Sequence, residues 1–293
     1  MRPAAFDYFS AGTVDEALYF LKKYGKETKI LAGGMSLAPV MKMRFFSPRY
    51  ILDIGRLADL KYIRQSGGSI AIGAMTTHHE IEASDVLRTD VPLMCDAASQ
   101  LGDPQVRNRG TIGGSLVNAD PAGDWGSVMI ALNAKIRLDR ARSHRFVDAS
   151  RFFAGPMQSS ARPGELLTEI VVPVPPARSG GAYVKLKRRE GDLATVAAAA
   201  QLTCDGEGTC TYAGIALTNA APTNIRARRA ENILLNRKLD TGSIARASSA
   251  AAAGLFPQGD AVRGTSEYKK DMVRVLTHRA LLLAAERAGV KLR

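Results

Sequence analysis

Two short glycine pairs lie 80 residues apart in the sequence, and each is followed closely by a serine. The first is in the run Ala32-Gly33-Gly34-Met35-Ser36, and the second is in Thr111-Ile112-Gly113-Gly114-Ser115. Each follows an apolar stretch that predicts a β-strand. Glycine adopts positive φ readily and has no Cβ, so backbone N–H groups at such turns can approach a phosphate closely. We therefore predict that the two turns are halves of one anion-binding site.

A carboxylate is expected beside the second glycine turn. The chain continues there as Asn118-Ala119-Asp120-Pro121-Ala122-Gly123-Asp124. Asp120 is predicted to cap a helix that has Pro121 at its first position and Asp124 one turn inside. Asp120 is explained equally well as a helix cap alone or as part of the binding site. Asp124 is then a fixed carboxylate beside the proposed anion site.

The sequence lacks the common nucleotide-binding and hydrolase motifs. It contains no Gly-x-Gly-x-x-Gly, no Gly-Lys-Ser or Gly-Lys-Thr, no Gly-x-Ser-x-Gly and no His-Glu-x-x-His. We assign no catalytic side chain and expect a bound cofactor to carry the chemistry. A diphosphate between two glycine turns, with a carboxylate nearby for a sugar hydroxyl, suits a long dinucleotide such as FAD.

Histidine and cysteine do not form a metal-binding pattern. The adjacent His78 and His79 point about 100° apart on a helix, so they are expected to pack or face solvent rather than share an ion. Cys95, Cys204 and Cys210 are too few and too scattered to hold a metal or an iron–sulfur cluster. Cys204 and Cys210 flank a turn-rich link and are expected to lie near each other across a hairpin. Packing as thiols is favoured, with a regulatory disulfide as the alternative.

Composition predicts an ordinary globular protein of two domains. The chain has 293 residues, and 46% of them are hydrophobic. No apolar run reaches the roughly 18 residues needed to span a bilayer, and the first residues do not resemble a secretory signal, so a cytoplasmic location is expected. The net charge of +12 fits nucleic acid, an anionic cofactor or an acidic partner. Nucleic-acid binding is not favoured because no known recognition motif accompanies the basic runs.

The chain divides at a proline-rich linker, and we place the domain boundary after Pro176. Residues 1–176 read as mixed α/β, and residues 177–293 read as an antiparallel meander followed by helices. The predicted strands include 28–32, 50–54, 110–112, 183–186, 196–204 and 209–218. The predicted helices include 14–24, 37–41, 127–132, 224–235, 243–253 and 266–288. In the last helix the face expected to pack in the core consists of Tyr268, Met272, Val275, Leu276, Arg279 and Leu283.

Four ordered segments resemble one known family. They are residues 30–44, residues 72–78, the stretch Arg109-Gly110-Thr111-Ile112-Gly113-Gly114-Ser115 with Ala119-Asp120-Pro121-Ala122 and Asp124, and the run 185–194 that begins Lys185-Leu186-Lys187. Over nearly its whole length the chain resembles the FAD-binding medium subunit of the molybdenum hydroxylases, the family of carbon monoxide dehydrogenase and xanthine dehydrogenase. Carbon monoxide dehydrogenases usually have His where this chain has Met35, so the resemblance implies flavin binding but not carbon monoxide as substrate.

The resemblance implies an α+β fold with a vanillyl-alcohol-oxidase-like (PCMH-type) FAD-binding domain made of two α/β subdomains. A C-terminal α+β domain with a three-stranded antiparallel sheet and helices follows. In the family, the segments matching residues 31–37 and 111–115 hold the FAD pyrophosphate, Asp124 would bind the adenosine side, and Leu101, Leu167 and Lys185 would approach the flavin. Asn118 and Asp120 are added for their position. The predicted FAD-binding set is Leu31, Ala32, Gly33, Gly34, Met35, Ser36, Leu37, Leu101, Thr111, Ile112, Gly113, Gly114, Ser115, Asn118, Asp120, Asp124, Leu167 and Lys185.

The resemblance also implies partners. Medium subunits of this family take electrons from 2Fe–2S clusters in a small subunit, which are reduced by a molybdenum cofactor in a large subunit, and pass them to an external acceptor. A dimer of heterotrimers is expected. Because this chain has no cluster-binding cysteine set, the clusters and the molybdenum must belong to partner chains, and the basic surface is a candidate for docking them. Two alternatives remain: a stand-alone FAD-dependent reductase of the same fold class, and a basic nucleic-acid-binding module.

Overall fold

The computed structural model describes residues 2–292. Its first unit is a small three-stranded parallel sheet with strand order β1-β3-β2, covered by helix α1. Thr13 caps α1 by accepting a hydrogen bond from the Glu16 amide, and the buried side chains Ala17, Leu18 and Leu21 face the sheet. The elements are β1 (Asp7–Ser10), α1 (Val14–Tyr24), β2 (Thr28–Leu31), α2 (Leu37–Lys42) and β3 (Tyr50–Asp53).

The second unit is built on a five-stranded antiparallel sheet with strand order β4-β5-β10-β6-β7. Six helices lie between β5 and β6 in the sequence, and the large core of the molecule forms between them and this sheet. The strands are β4 (Ile63–Ser66), β5 (Ser69–Gly73), β6 (Lys135–Arg140), β7 (Ser143–Asp148) and β10 (Leu166–Pro173), with a small hairpin β8 (Phe153–Gly155) and β9 (Gln158–Ser159). The helices are α3 (His78–Glu82), α4 (Asp85–Asp90), α5 (Pro92–Ser99), α6 (Pro104–Arg109), α7 (Ile112–Asn118) and α8 (Asp124–Ala131).

The C-terminal part is an antiparallel sheet packed against helices, which confirms the predicted meander. A short fourth strand extends the three predicted ones, in the order β11-β12-β13-β14. The elements are β11 (Ser179–Leu186), β12 (Val196–Cys204), β13 (Cys210–Thr218), β14 (Ile225–Arg226), α9 (Arg228–Leu234), α10 (Thr241–Ala252) and α11 (Ser266–Arg287). Cys204 and Cys210 are cross-strand neighbours in this sheet, and both are buried free thiols.

The buried face of α11 is not the predicted one. Of the predicted face only Leu276 is buried, whereas Tyr268 and Leu283 are exposed. Small side chains face the sheet instead, because the helix backbone lies very close to it: a Cβ built on Gly180 would be 2.1 Å from the carbonyl oxygen of Ala284. The buried residues of α11 are Lys269, Val273, Leu276, Thr277, Ala280, Leu281, Ala284 and Ala285.

Among residues 2–292, none of the helices combines the length and apolar character needed to cross a membrane.

Of the two runs before the glycine pairs that were predicted as strands, one forms a strand and the other does not. Residues 28–32 do form a strand, β2, whereas residues 110–112 lead directly from α6 into α7 and are not a strand.

Candidate functional site

The first glycine turn presents free backbone donors. Strand β2 ends at Leu31, Gly34 has a φ of +78°, and α2 begins at Leu37. Within residues 2–292, the N–H groups of positions 33–36 donate to no protein acceptor. Backbone N–H groups that are not satisfied by protein are normally bound to water or ligand, and a run of them in a turn is a typical anion site. This turn therefore has the geometry that we predicted for it.

The second glycine motif was predicted as a turn after a strand, and this is wrong. Thr111 is the N-cap of α7, and its Oγ1 accepts a hydrogen bond from the Gly114 amide at 3.2 Å. The amides of Ile112 and Gly113 donate to the carbonyl oxygens of Thr76 and Ala74, both at 3.0 Å. Positions 113 and 114 are helical with negative φ, so the glycine pair does not supply free amides.

The glycines of the second motif allow close packing instead. A Cβ on Gly113 would be 2.7 Å from atoms of Ala74, closer than real Cβ contacts allow. The sequence could not show this, because the contact is made by a residue 39 positions earlier in the chain. The second motif is therefore a helix start that is tightly packed against the end of β5.

The two glycine motifs nevertheless touch each other. A Cβ on Gly33 would be 2.0 Å from the carbonyl oxygen of Arg109, two residues before the second motif, and a Cβ on Gly114 would be 3.5 Å from the Ala32 Cβ. The convergence that we predicted is thus present, although only the first motif contributes free amides.

Three polar side chains without protein partners come shortly after the glycine pairs or one turn later in α7. The hydroxyl groups of Ser36 and Ser115 and the side-chain amide of Asn118 make no hydrogen bond to other residues in the range 2–292, and none of the three residues is buried. Together with the four free amides, they can donate hydrogen bonds to an anionic group. The donors required by a diphosphate are present, and its charge would be bound mainly by backbone dipoles.

An apolar cavity lies beside the first turn. It has a volume of about 180 Å³, and two predicted site residues, Leu31 and Leu37, line it together with Tyr8, Met41 and Ile51. Its walls offer contact to an apolar ring but almost no hydrogen bonding. A wider cleft of about 930 Å³ lies at the junction of the two domains and is lined by Asp96, Arg178, Gln201 and Arg287 among others, but none of the predicted site residues borders it.

Asp120 was predicted to cap the next helix, and this is wrong. Helix α8 begins at Asp124, and Gly123 occupies its N-cap position. The Asp120 carboxylate instead accepts a hydrogen bond from the Ala122 amide at 2.9 Å, and the Asp120 carbonyl oxygen accepts one from the Gly123 amide at 2.9 Å. This local turn closes before the helix starts, because the short Asp side chain bonds its own backbone two residues on.

Asp124 is fixed in the interior by two residues of β11. Its carboxylate is completely buried, accepts a hydrogen bond from the Lys185 Nζ at 2.9 Å and accepts another from the Tyr183 hydroxyl. Burial raises the pKa of the Asp124 carboxyl, and the Lys185 ammonium and the Tyr183 hydroxyl oppose that rise. Burial and the Asp124 charge raise the pKa of Tyr183 well above its usual value.

Sequence reasoning missed Tyr183. The available signal was its position two residues before Lys185 in one strand, which puts both side chains on the same face of the sheet. The Lys185 ammonium also donates to the Gln100 carbonyl oxygen at 3.1 Å, next to Leu101. Leu101 and Leu167 are both buried in the large core, Leu167 just before a register shift in β10. The structure thus brings the segments of Leu101, Asp124 and Lys185 together.

The adjacent histidines behave as the helix geometry predicts. His78 is buried, and its Nδ1 accepts a hydrogen bond from the Trp125 indole N–H at 3.1 Å, while His79 is exposed. Burial, helped by the charge of Arg107, lowers the pKa of His78 to about 4. In the described part of the chain no group of three or more His, Cys, Asp or Glu side chains is placed to bind a metal ion.

Known proteins similar to this chain agree with the geometry. Residues 4–175 match the family described as the FAD binding domain in molybdopterin dehydrogenase, and residues 181–284 match the CO dehydrogenase flavoprotein C-terminal domain. The carbon monoxide dehydrogenase medium chain of Afipia carboxidovorans is 40% identical over 98% of this chain and 99% of its own length. The 6-hydroxypseudooxynicotine dehydrogenase complex subunit alpha of Paenarthrobacter nicotinovorans is 38% identical over 98% of this chain and 97% of its own length.

A solved structure shows the same fold. A chain of the carbon monoxide dehydrogenase from Hydrogenophaga pseudoflava superposes with a TM-score of 0.95 at 40% identity, covering 98% of this chain and 99% of that one. Both matched families and this structure span the two parts of the molecule described above. The chain therefore belongs to the FAD-binding medium subunits of the molybdenum hydroxylases, and it is the flavin subunit of an oxidoreductase.

Proposed function

We propose that this chain holds FAD between its two glycine motifs, takes electrons from the iron–sulfur clusters of a partner subunit and passes them to an external acceptor. The observation that carries the proposal is the set of four free amides at positions 33–36, in a turn whose Gly33 packs against Arg109 and Gly110, just before α7. The matched family gives the cofactor, and the donor set fits its diphosphate. When bound, FAD supplies the ability to collect electrons singly and to release them in pairs.

The chain's own residues would bind and orient the cofactor. The amides of 33–36, with the hydroxyls of Ser36 and Ser115 and the amide of Asn118, would bind the diphosphate. The FAD-binding residues that we propose are the same as those predicted from the sequence, but three of them have a different role. The amides of Ile112, Gly113 and Gly114 donate to protein acceptors, so these residues would act by packing.

Asp124 and Lys185 neutralise each other in the interior. We propose that they shape the site by fixing α8 and the end of β11, and that any contact of Asp124 with the adenosine side is made when the Lys185 ion pair rearranges. Leu101 and Leu167 would contribute an apolar wall. No side chain of this set is assigned a proton-transfer role.

The assembly that we propose has a molybdenum-cofactor large subunit and a 2Fe–2S small subunit, arranged as a dimer of heterotrimers in the cytoplasm. Names of relatives support this, because they describe a medium chain and a subunit of a dehydrogenase complex. The same two relatives are named for different substrates at 40% and 38% identity. This supports our proposal that substrate choice belongs to a partner chain. The matched segments end at 175 and restart at 181, which supports a domain boundary after Pro176.

The experiment separates the subunits and then recombines them. The complex is purified through a tag on this chain and dissociated, and flavin, iron and molybdenum are measured in each part. We expect one FAD and no iron or molybdenum with this chain. The iron–sulfur chain is then reduced with dithionite, freed of excess reductant and mixed with this chain. It should bleach the visible flavin band of this chain.

Two results would contradict the proposal. Absence of flavin from the purified chain would remove its basis. Bleaching of the isolated chain by a reduced nicotinamide cofactor, with turnover that needs no partner, would favour the stand-alone reductase instead.

A further inference from the structure

An exposed aromatic turn follows the first glycine motif. Helix α2 ends at Lys42, and the next four residues, Met43-Arg44-Phe45-Phe46, form what we call the Phe45 turn. Phe45 is 79% exposed, Met43 47% and Phe46 40%. Single exposed apolar side chains are common on proteins, but three large ones in four consecutive residues form a patch that usually has a partner.

The Phe45 turn is held by the protein backbone. The amides of Met43, Arg44 and Phe45 donate to carbonyl oxygens within α2 at 3.0, 3.0 and 3.2 Å. Arg44 has a φ of +57°, a left-handed conformation that costs a non-glycine residue about 1 kcal/mol or more. Its guanidinium Nε donates to the Arg2 carbonyl oxygen at 3.2 Å. The backbone that carries the aromatic side chains is therefore held in one conformation, which lowers the entropy lost when a partner binds.

The chain segment that contains the turn is positively charged. From position 28 to position 52 the sequence has four cationic residues and no Asp or Glu; the cations are Lys29, Lys42, Arg44 and Arg49. Arg49 is paired with Glu27 at 3.0 Å, and the Lys29 ammonium lies 5.1 Å from the centre of the Phe46 ring. Lys42 and Arg44 have no acidic partner among residues 2–292. An apolar centre with a cationic rim fits an apolar socket with an acidic rim.

The turn also lies close to the proposed flavin site. Only α2 separates it from the free amides of 33–36, and a six-residue helix is about 9 Å long. We propose that the Phe45 turn is the docking site for the acidic face of the iron–sulfur chain that delivers electrons to this subunit. This inference rests on the proposed function, because it requires an electron-donating partner. The partner contributes carboxylates around a hydrophobic socket that receives the Phe45 ring.

The test measures how fast the iron–sulfur chain leaves the complex. The complex is purified through a tag on this chain, immobilised and washed, and iron released into the wash is followed with time at low and high salt. We compare wild type with Phe45→Ala and Arg44→Glu. Phe256→Ala is the matched control, because Phe256 is 84% exposed in the C-terminal domain and far along the chain from the flavin motifs.

We expect Phe45→Ala to speed the release about thirtyfold, the effect of losing a hot-spot aromatic residue. Arg44→Glu should speed it at least tenfold at low salt and abolish most of the salt dependence. Phe256→Ala should leave the rate unchanged, and the flavin content of all three variants should equal that of wild type. Equal flavin content shows that the effect is on docking and not on the fold or the cofactor.

Several outcomes would overturn the inference. Release at the wild-type rate from Phe45→Ala would show that the turn is outside the interface. Equal acceleration by Phe45→Ala and Phe256→Ala would show a non-specific effect. A concentration-dependent dimer of the isolated chain that Phe45→Ala converts to monomer would identify a second copy as the occupant, and nuclease-sensitive material in the complex would identify nucleic acid. Loss of flavin in the wild-type chain would instead contradict the proposed function itself.

Discussion

The buried ion pair between Lys185 and Asp124 gives a quantitative test of the structure around the site. The Lys185 side chain is 1% exposed and the Asp124 side chain is fully buried, with 2.9 Å between Nζ and Oδ2. Replacing Lys185 by Met keeps the aliphatic length and removes the charge, which leaves the Asp124 carboxylate uncompensated. Removing one partner of a buried ion pair costs about 3–5 kcal/mol. We therefore expect Lys185→Met to lower the free energy of unfolding by about 4 kcal/mol and the Tm by about 6 °C.

The assay can use a natural local probe. Trp125 is the only tryptophan in the sequence, is fully buried and is adjacent to Asp124, so its fluorescence reports unfolding at this position. Urea titrations are made on flavin-free protein, since bound ligand would add its own stabilisation. The control is the double variant Asp124→Asn with Lys185→Met, which has no buried charge at this site and should recover most of the loss.

The stability loss of Lys185→Met should depend on pH in a defined direction. In Lys185→Met the pKa of Asp124 is raised further in the folded state, because burial disfavours the charged form and the cation is gone. Because the Asp124 pKa is higher in the folded variant than in the unfolded chain, the loss of stability is small below the unfolded pKa of about 3.9. It grows as the pH rises above that value. The variant should therefore approach wild-type stability as pH falls from neutral toward 4. A loss below about 1 kcal/mol, or a loss independent of pH, would refute this reasoning.

Three further predictions follow from single residues. His78 has a pKa of about 4 in the folded protein and about 6.5 when unfolded, so the free energy of unfolding should fall by about 3 kcal/mol as the pH drops from 6.5 to 4. Urea titrations at several pH values should show a smaller fall for His78→Gln. Gly33→Ala places a Cβ 2.0 Å from a backbone carbonyl oxygen and should reduce bound FAD at least tenfold by absorbance, whereas Gly206→Ala, with nothing within 4 Å, should bind normally. Lys269→Met removes hydrogen bonds to the loop at 256–264 and should speed its cleavage by trypsin severalfold, which an unchanged digestion rate would contradict.

The sequence predicted those elements whose signals are local. Helix α1 has its cap at Thr13, an apolar face and Gly25 just after its end, and it forms as expected. Strands β2, β3, β12 and β13 are apolar runs bounded by turn residues. The first glycine turn was also predicted correctly, because a left-handed Gly34 between strand and helix depends on neighbouring residues only.

The errors concern features that depend on distant residues. The amides of α7 are taken by carbonyl oxygens from the end of β5, so the second glycine pair could not be interpreted from its own segment. Helices α4 and α6 were not predicted, since each has only six residues and no extended apolar periodicity. The partner of Asp124 lies 61 residues away, at Lys185. Likewise, α11 is apolar on more than one side, and only the close approach at Gly180 decides which side is buried.

The most direct test of the central claim is a crystal structure of this chain with FAD bound. We predict that the diphosphate lies within hydrogen-bond distance of the amide nitrogens of positions 33–36 and against the face of α7 that carries Ser115 and Asn118. A diphosphate bound in the wide cleft lined by Arg178 and Arg287, with the amides of 33–36 still hydrated, would contradict the account.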